Sequence, residues 1–378
     1  MNITISKQKL LKYLTYTDAI ASSKTTVPIL SNVLLNTEDD NMSLNSSNLE
    51  TGIKINETGD ISEAGALAVN GKKLLSIIRE LPDDDVNLYT DEYNRLTIKS
   101  TSDEIKAKFV IAGVSKEDFP EIRTVPEGEY IELKAEVFQD MIKRVICSIS
   151  SDENKYSLTG VFLEKIDNKI NMVATDGKRL SLVSNNLEDL EISEEAFNLP
   201  HGGVIIPKIV LIEIMKYPFE NKTIQMGFSK NQIFFCYDNI YLTSNLIEGK
   251  FPDYKKIIPE PRENYFIADR ELLYTAIKRV SVLVDESFNQ IKLSILKGRL
   301  LISSKDPALG GAVEEIQIEY AGEDIDIALN YHYLMDCLKE IGPETIKVDF
   351  ENSEKVLTIK GEGEENYLNL IMPMKINI

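Results

Sequence analysis

Histidine and cysteine are scarce in this chain, and its apolar runs are short. Only two histidines occur, His201 and His332, and neither has a cysteine or carboxylate at metal-ligand spacing. A zinc-type centre therefore has no support, and no cofactor is expected. Cys147, Cys236 and Cys337 are odd in number and far apart, which argues against a disulfide framework and for reduced core thiols. No run approaches the length needed to span a bilayer, and Met1 to Ser22 shows no apolar stretch followed by a cleavage site. A soluble, cytoplasmic protein without a membrane partner is the expectation.

What the chain does contain is repetition. Ile3, Ile5, Leu10 and Leu14 recur as Ile131, Leu133, Phe138 and Ile142, at an offset of 128, and Tyr265, Ile267, Leu272 and Ala276 follow at 262. Each copy closes on a similar dipeptide: Phe119-Pro120, Phe251-Pro252 and Met372-Pro373. One third of 378 residues is 126, the size of an ordinary domain. Three domains are expected, at 1–126, 127–259 and 260–378, each with its own core. Similar domains in a row turn by a similar step, so they form an arc, and an arc with complementary ends closes into a ring. The proline-bearing joints Thr124–Gly128 and Ile258–Arg262 are expected to hold its angles.

Within a repeat, short β-branched segments alternate with acidic, asparagine-containing turns, a hairpin signature. Examples are Val33–Leu35, Met42–Leu44, Leu96–Ile98, Ile105–Ile111, Ile224–Phe228 and Ile233–Tyr237. Helical periodicity marks six segments, at 6–21, 71–81, 135–147, 207–217, 269–282 and 330–341. The fold class is α+β: each repeat reads as antiparallel sheet with two helices on one face. The six helical segments carry a net +5, which leaves −24 on the rest of a chain of net charge −19. Lysine is a good helix former, so that concentration has a bland explanation as well as an electrostatic one. A protein with two electrically different sides is the other reading, and nucleic acid binding depends on such a distribution.

No catalytic constellation survives inspection. Gly65 to Lys73 resembles a phosphate loop, but Gly71-Lys72 comes one residue late and Lys73 replaces the required Ser/Thr. Gly361-Glu362-Gly363 lies in an acidic stretch that repels phosphate, and Asp83-Asp84-Asp85 reads as a solvated turn. A metal-dependent enzyme built on the acidic loops lacks its ligands, so no enzymatic activity is expected.

Function sits where the repeats diverge. Ser46-Ser47-Asn48-Leu49-Glu50 in the first copy becomes Ala174-Thr175-Asp176-Gly177-Lys178 in the second, continuing as Arg179-Leu180. The second copy ends in Gly249-Lys250-Phe251-Pro252-Asp253-Tyr254, and the third in Leu370-Ile371-Met372-Pro373-Met374-Lys375-Ile376. With Pro28-Ile29-Leu30-Ser31-Asn32 and the threefold repeat, these motifs resemble the bacterial beta sliding clamps, the processivity subunits of replicative DNA polymerase. The resemblance covers the whole chain.

It implies a head-to-tail homodimer that encircles double-stranded DNA with sheets outside and helices inside. It also implies docking of the polymerase subunit, the clamp loader and other motif-bearing proteins. The implied peptide pocket comprises Leu158, Thr175, Gly177, Lys178, Arg179, Leu180, Pro252, Lys256, Ile257, Leu370, Met372, Pro373, Met374 and Ile376. Two methionines around a proline independently suggest an adaptable apolar surface. An extended strand shows alternate residues to one face, so Ile371 and Pro373 are expected to face away from it.

Lys256 and Lys375 stand where relatives carry arginine, and Asn377-Ile378 lengthens the tail. The resemblance and the charge count place Lys24, Lys72, Lys73, Arg79, Lys143, Lys208, Lys278 and Arg279 toward DNA. The resemblance sets Phe109 and Ile111 against Val282 and Leu283 across the dimer, flanked by Lys106 and Lys108 against Glu314 and Glu315. A peptide-binding scaffold that never encircles DNA is the competing reading, and the −19 charge favours it.

Overall fold

The computed structural model describes residues 1–21, 27–122, 130–193, 197, 199–219 and 222–376, with the backbone alone for His201. Lys24, the Thr124–Gly128 joint, Asn377-Ile378 and the His201 side chain lie outside the described residues. Six α-helices occur among those described: α1 (Lys7–Asp18), α2 (Gly71–Glu80), α3 (Ala135–Val145), α4 (Lys208–Lys216), α5 (Arg270–Val280) and α6 (Tyr331–Glu340). All six fall on the periodic segments. Each buries its Leu/Ile stripe, as Leu74, Leu75 and Ile78 do on α2 and Leu273, Ile277 and Val280 on α5.

Side chains start three of these helices by accepting from otherwise unpaired amides. Asn70 accepts from Lys73 N at 2.9 Å, Asp269 from Leu272 N at 2.6 Å and Asn330 from His332 N at 3.0 Å. The strands are antiparallel throughout, and the tight turns between them put Asp39, Asn94 and Lys230 at φ of 50°, 55° and 52°. One strand begins later than its alternation suggests. It runs Lys108–Val114, whereas Ile105 lies in a solvent-exposed loop. Ile105-Lys106-Ala107-Lys108 alternates, but the partner strand Arg95–Ser100 meets it only from Lys108 onward.

The chain divides into two compact units that cut through the middle repeat. One comprises 1–135 and 209–246, the other 136–208 and 247–378. The cause is strand pairing. In the first unit a 13-stranded sheet continues from the middle repeat into the first, where Ile240–Asn245 pairs with Thr51–Thr58. In the second unit an eight-stranded sheet continues from the middle repeat into the third, where Arg179–Asn186 pairs with Tyr367–Ile371. A separate four-stranded sheet ends on the strand Gly310–Gln317. Both joints between repeats thus contain backbone hydrogen-bond ladders.

A candidate peptide pocket at the second joint

The pocket grows from one tight turn. Between strands Lys169–Thr175 and Arg179–Asn186, Gly177 takes φ +89°, a left-handed value that glycine adopts without penalty. Thr175 Oγ1 donates to Arg179 O at 2.6 Å and accepts from Gly177 N at 3.1 Å. Asp176 Oδ1 accepts from the amides of Lys178 and Arg179 at 2.8 and 3.0 Å. A Thr-Asp-Gly sequence therefore suits this turn chemically, since each polar side chain satisfies backbone that the strand ladder cannot.

The turn lies beside the end of the third repeat. Leu180 is the register partner of Leu370, and Met372 N donates to Lys178 O at 2.9 Å. Thr175, Gly177, Lys178, Arg179, Leu180, Ile257, Val356, Leu370 and Met372 surround a cavity of about 220 Å³. Leu180 and Leu370 form its floor, with Leu158, Val173, Phe251 and Tyr254 packed in the same buried cluster. Ile257 and Met372 stand exposed at its mouth, 46% and 43% accessible. The concavity is apolar, with polar backbone at one rim, a surface suited to capturing apolar side chains.

Eight of the fourteen expected pocket residues line this cavity. Leu158 lies beneath it. Ile371 is buried away from it, as strand alternation requires. Pro373, Met374 and Ile376 instead border a neighbouring cavity of about 540 Å³ with Ser353, Glu354 and Lys375. The tail leaves the eight-stranded sheet after Met372, where Met374 N reaches Ala328 O at 2.8 Å and Lys375 O accepts from Gln290 Nε2 at 2.7 Å. Pro252 and Lys256 are exposed and border neither cavity, and Lys256 pairs with Asp253 at 2.9 Å.

Arg179 is committed elsewhere. Its guanidinium bonds Asp336 at 2.6 Å, Asp176 at 3.2 Å and the Cys147 carbonyl, and it lies 4.4 Å above the Tyr333 ring. Burial, the largest influence, lowers its pKa, but Asp336, Cys147 and Asp176 together raise it above its ordinary value, so the charge is permanent. Burial likewise pushes the neighbouring Cys147 thiol up, although Arg179 pulls the other way. Val356, Tyr333 and Asp336 escaped the sequence reading. They sit in unremarked strand-end and helix positions, and only Arg179 and the pocket wall bring them into use.

The other expected surfaces are dispersed as follows. Lys72, Lys73, Arg79, Lys208 and Lys278 project from helices into solvent. Lys143 pairs with Glu340 at 3.0 Å, and Arg279 makes a two-point pair with Glu314 of the same chain. Glu314 was expected to face a partner subunit, and here it is occupied internally. Glu315 pairs with Arg299 at 3.4 Å. Lys106, Lys108 and Phe109 are exposed and Ile111 half-buried; Val282 is exposed and Leu283 half-buried.

Comparison with known proteins is uniform along the chain. Residues 1–123, 132–253 and 255–375 match the N-terminal, central and C-terminal domains of the DNA polymerase III beta subunit. The beta sliding clamp of Staphylococcus aureus is 30% identical over 386 residues, covering 99% of both chains. The crystal structure of the Pseudomonas aeruginosa DNA polymerase III beta subunit superposes at a TM-score of 0.87, with 28% identity and full coverage of both chains. That of the Bartonella birtlesii sliding clamp bound to griselimycin gives 0.89 at 27% identity, again with full coverage. Three matched domains in order, a shared fold over the whole length and a pocket at the second joint lead to one conclusion: this chain belongs to the DNA polymerase III beta subunit family, the bacterial beta sliding clamps.

Proposed function

We propose that two copies of this chain close head to tail around duplex DNA and hold the replicative polymerase and other partners there, without catalysing a reaction. Its three domains are assigned to 1–126, 127–259 and 260–378. The observation that carries the partner-holding role is the apolar cavity between Leu180, Leu370, Ile257 and Met372, since a bounded pocket at a chain end can anchor short linear motifs from unrelated proteins. A P. aeruginosa sliding clamp crystallised bound to griselimycin shows that a relative takes a ligand.

Two open strand edges support the dimer. Lys108–Ala112 pairs with Arg95–Lys99, but the strand's other side meets Gly65–Asn70 only at Gly113 and Val114. Gly310–Gln317 is likewise a terminal strand, with Val313 exposed. Such edges are competent to pair with another chain. Phe109 and Ile111 would meet Val282 and Leu283 there. Lys72, Lys73, Arg79, Lys208 and Lys278 would face phosphates without reading bases, which sliding requires.

The test loads the protein onto closed circular plasmid and then linearises it. Loss of the protein on linearisation is expected of a ring. Retention overturns the encircling role and favours the peptide scaffold.

A further inference from the structure

The first joint carries a cavity built like the pocket at the second. Ser47, Leu49, Glu50, Thr51 and Gly52 stand 128 residues before Thr175, Gly177, Lys178, Arg179 and Leu180, and they too border a cavity of about 220 Å³. The backbone repeats as well. Asn245 N donates to Glu50 O at 2.8 Å, as Met372 N does to Lys178 O at 2.9 Å. Gly52 is the register partner of Thr243, as Leu180 is of Leu370. Leu49 has a φ of 75°, close to the 89° of Gly177, although a leucine is strained there and glycine is not.

The lining differs. Where the second joint has Leu180, Leu370 and Met372, the first has Gly52, Thr243 and Asn245. Asn245 Oδ1 accepts from Gln232 Nε2 at 2.9 Å, which leaves the Gln232 carbonyl oxygen as an acceptor. Thr243 borders the cavity, is nine-tenths buried, and its hydroxyl has no hydrogen-bond partner among the described residues. The lining has two ionised groups among those residues, the exposed carboxylates of Glu50 and Glu121, and neither forms an ion pair. Lys54 and Lys230 lie two residues from the lining in the chain, but neither borders the cavity. Leu49, 64% exposed, adds apolar surface at the same border.

We infer that the first-joint cavity is a second docking site, and that its occupant is a linear peptide segment carrying arginine. A guanidinium has five donors and no acceptor, which suits a lining of two carboxylates and an amide oxygen. Its aliphatic stem covers Leu49. The net charge of −19 favours the approach of such a segment, and no cation in the lining opposes it. An apolar anchor finds no floor here, because Gly52 and Thr243 stand in place of two leucines. The two joints of one chain thereby select chemically different segments, and the first does so whether or not the second binds as proposed above.

Fluorescence anisotropy on the full-length protein tests this with labelled peptides of equal length. Their central residues are three arginines, three glutamates or a Gln- and Leu-rich run. The arginine peptide should saturate at one per chain, and the glutamate peptide should not bind. Glu50→Gln with Glu121→Gln should weaken the arginine peptide about fivefold to tenfold. Asp84→Asn with Asp85→Asn removes the same charge from the turn after α2 and should change binding by less than about twofold. Equal weakening by both double variants means unspecific attraction to an acidic chain and overturns the inference. So do weakening by neither, an arginine peptide that does not bind, and a glutamate peptide that binds as well. Unlabelled Gln- and Leu-rich peptide should not displace the arginine peptide, and displacement would place both at one site and end the proposal. If the Gln- and Leu-rich peptide binds nowhere, the docking reading at the second joint fails and the arginine site stands on its own result.

Discussion

The two joints between repeats use the same backbone device and different side chains. At the first, the ladder is flanked by aromatic packing. Tyr217 contacts Tyr16, Phe219 and Tyr237 with ring centroids 5.9, 4.8 and 4.9 Å apart, and Asn239 donates to Tyr13 at 3.1 Å. At the second, the ladder is flanked by ions. Arg144 bonds Glu364 and Asp140, each at 2.7 Å, and covers Tyr367, while Arg179 joins Asp176 and Asp336. The helical positions correspond, for Glu213 on α4 occupies the place of Asp336 on α6. Asp336 has an arginine partner. Glu213 has Lys216 at 2.8 Å, and its second oxygen is buried without a hydrogen bond. The first joint is mainly aromatic, with the Tyr217 hydroxyl on Asp238 and the Lys12 ammonium over its ring, whereas the buried arginine pairs of the second hold one geometry, and the pocket sits where geometry is specified.

The largest expected effect breaks the ionic joint. Arg144→Met strands Glu364, which is 12% exposed, and should cost about 3–4 kcal/mol in urea unfolding. Adding Glu364→Gln should recover much of it; a double variant as unstable as the single shows that the pair is not the source. Next comes Tyr217→Leu at the first joint. Loss of three ring contacts, the hydrogen bond to Asp238 and the Lys12 and Lys222 ammoniums over the ring should cost about 2–3 kcal/mol, and the loss should depend less on salt than that of Arg144→Met. A loss as salt-dependent as that of Arg144→Met erases the contrast between joints.

A smaller effect, of opposite sign, is expected at Glu213. Burial raises its pKa above 4.5, although Lys216 pulls the other way. A carboxyl with a raised folded pKa costs nothing when protonated in both states. The penalty accrues as pH rises from the unfolded value through the folded one, and is complete above it. Glu213→Gln should therefore stabilise the chain at pH 7 by about 1 kcal/mol and leave it unchanged well below pH 4. Melting curves across that range decide it. Smallest of all is Lys143→Gln. Its pair with Glu340 is half exposed, so stability should shift by under about 0.5 kcal/mol, while the salt dependence of DNA binding should weaken by about one charge.

Much of this was legible residue by residue. The six helices follow from apolar spacing, since a buried stripe at 3.6 residues has no other regular solution. The Thr175–Lys178 motif stood out because its repeat counterpart Ser47–Glu50 lacks it. Arg179, which the resemblance places in the pocket wall, does line the cavity, but its guanidinium serves Asp336 and Cys147, residues that no local pattern links to it. Pro373, Met374 and Ile376 moved to a second cavity for a similar reason, because Ala328 draws the tail off the sheet.

By itself the sequence determined the repeat, the place of the six helices and of several strands, and the turn chemistry beside the pocket. These depend on side-chain periodicity and on residues a few positions apart. Only the tertiary structure decided that the middle repeat's strands are shared between two compact units. A strand has two edges, and nothing in Arg179–Asn186 states that Tyr367–Ile371 will occupy one of them. That choice is made by total burial and hydrogen bonding, and with it come the pocket floor and the Arg179 network.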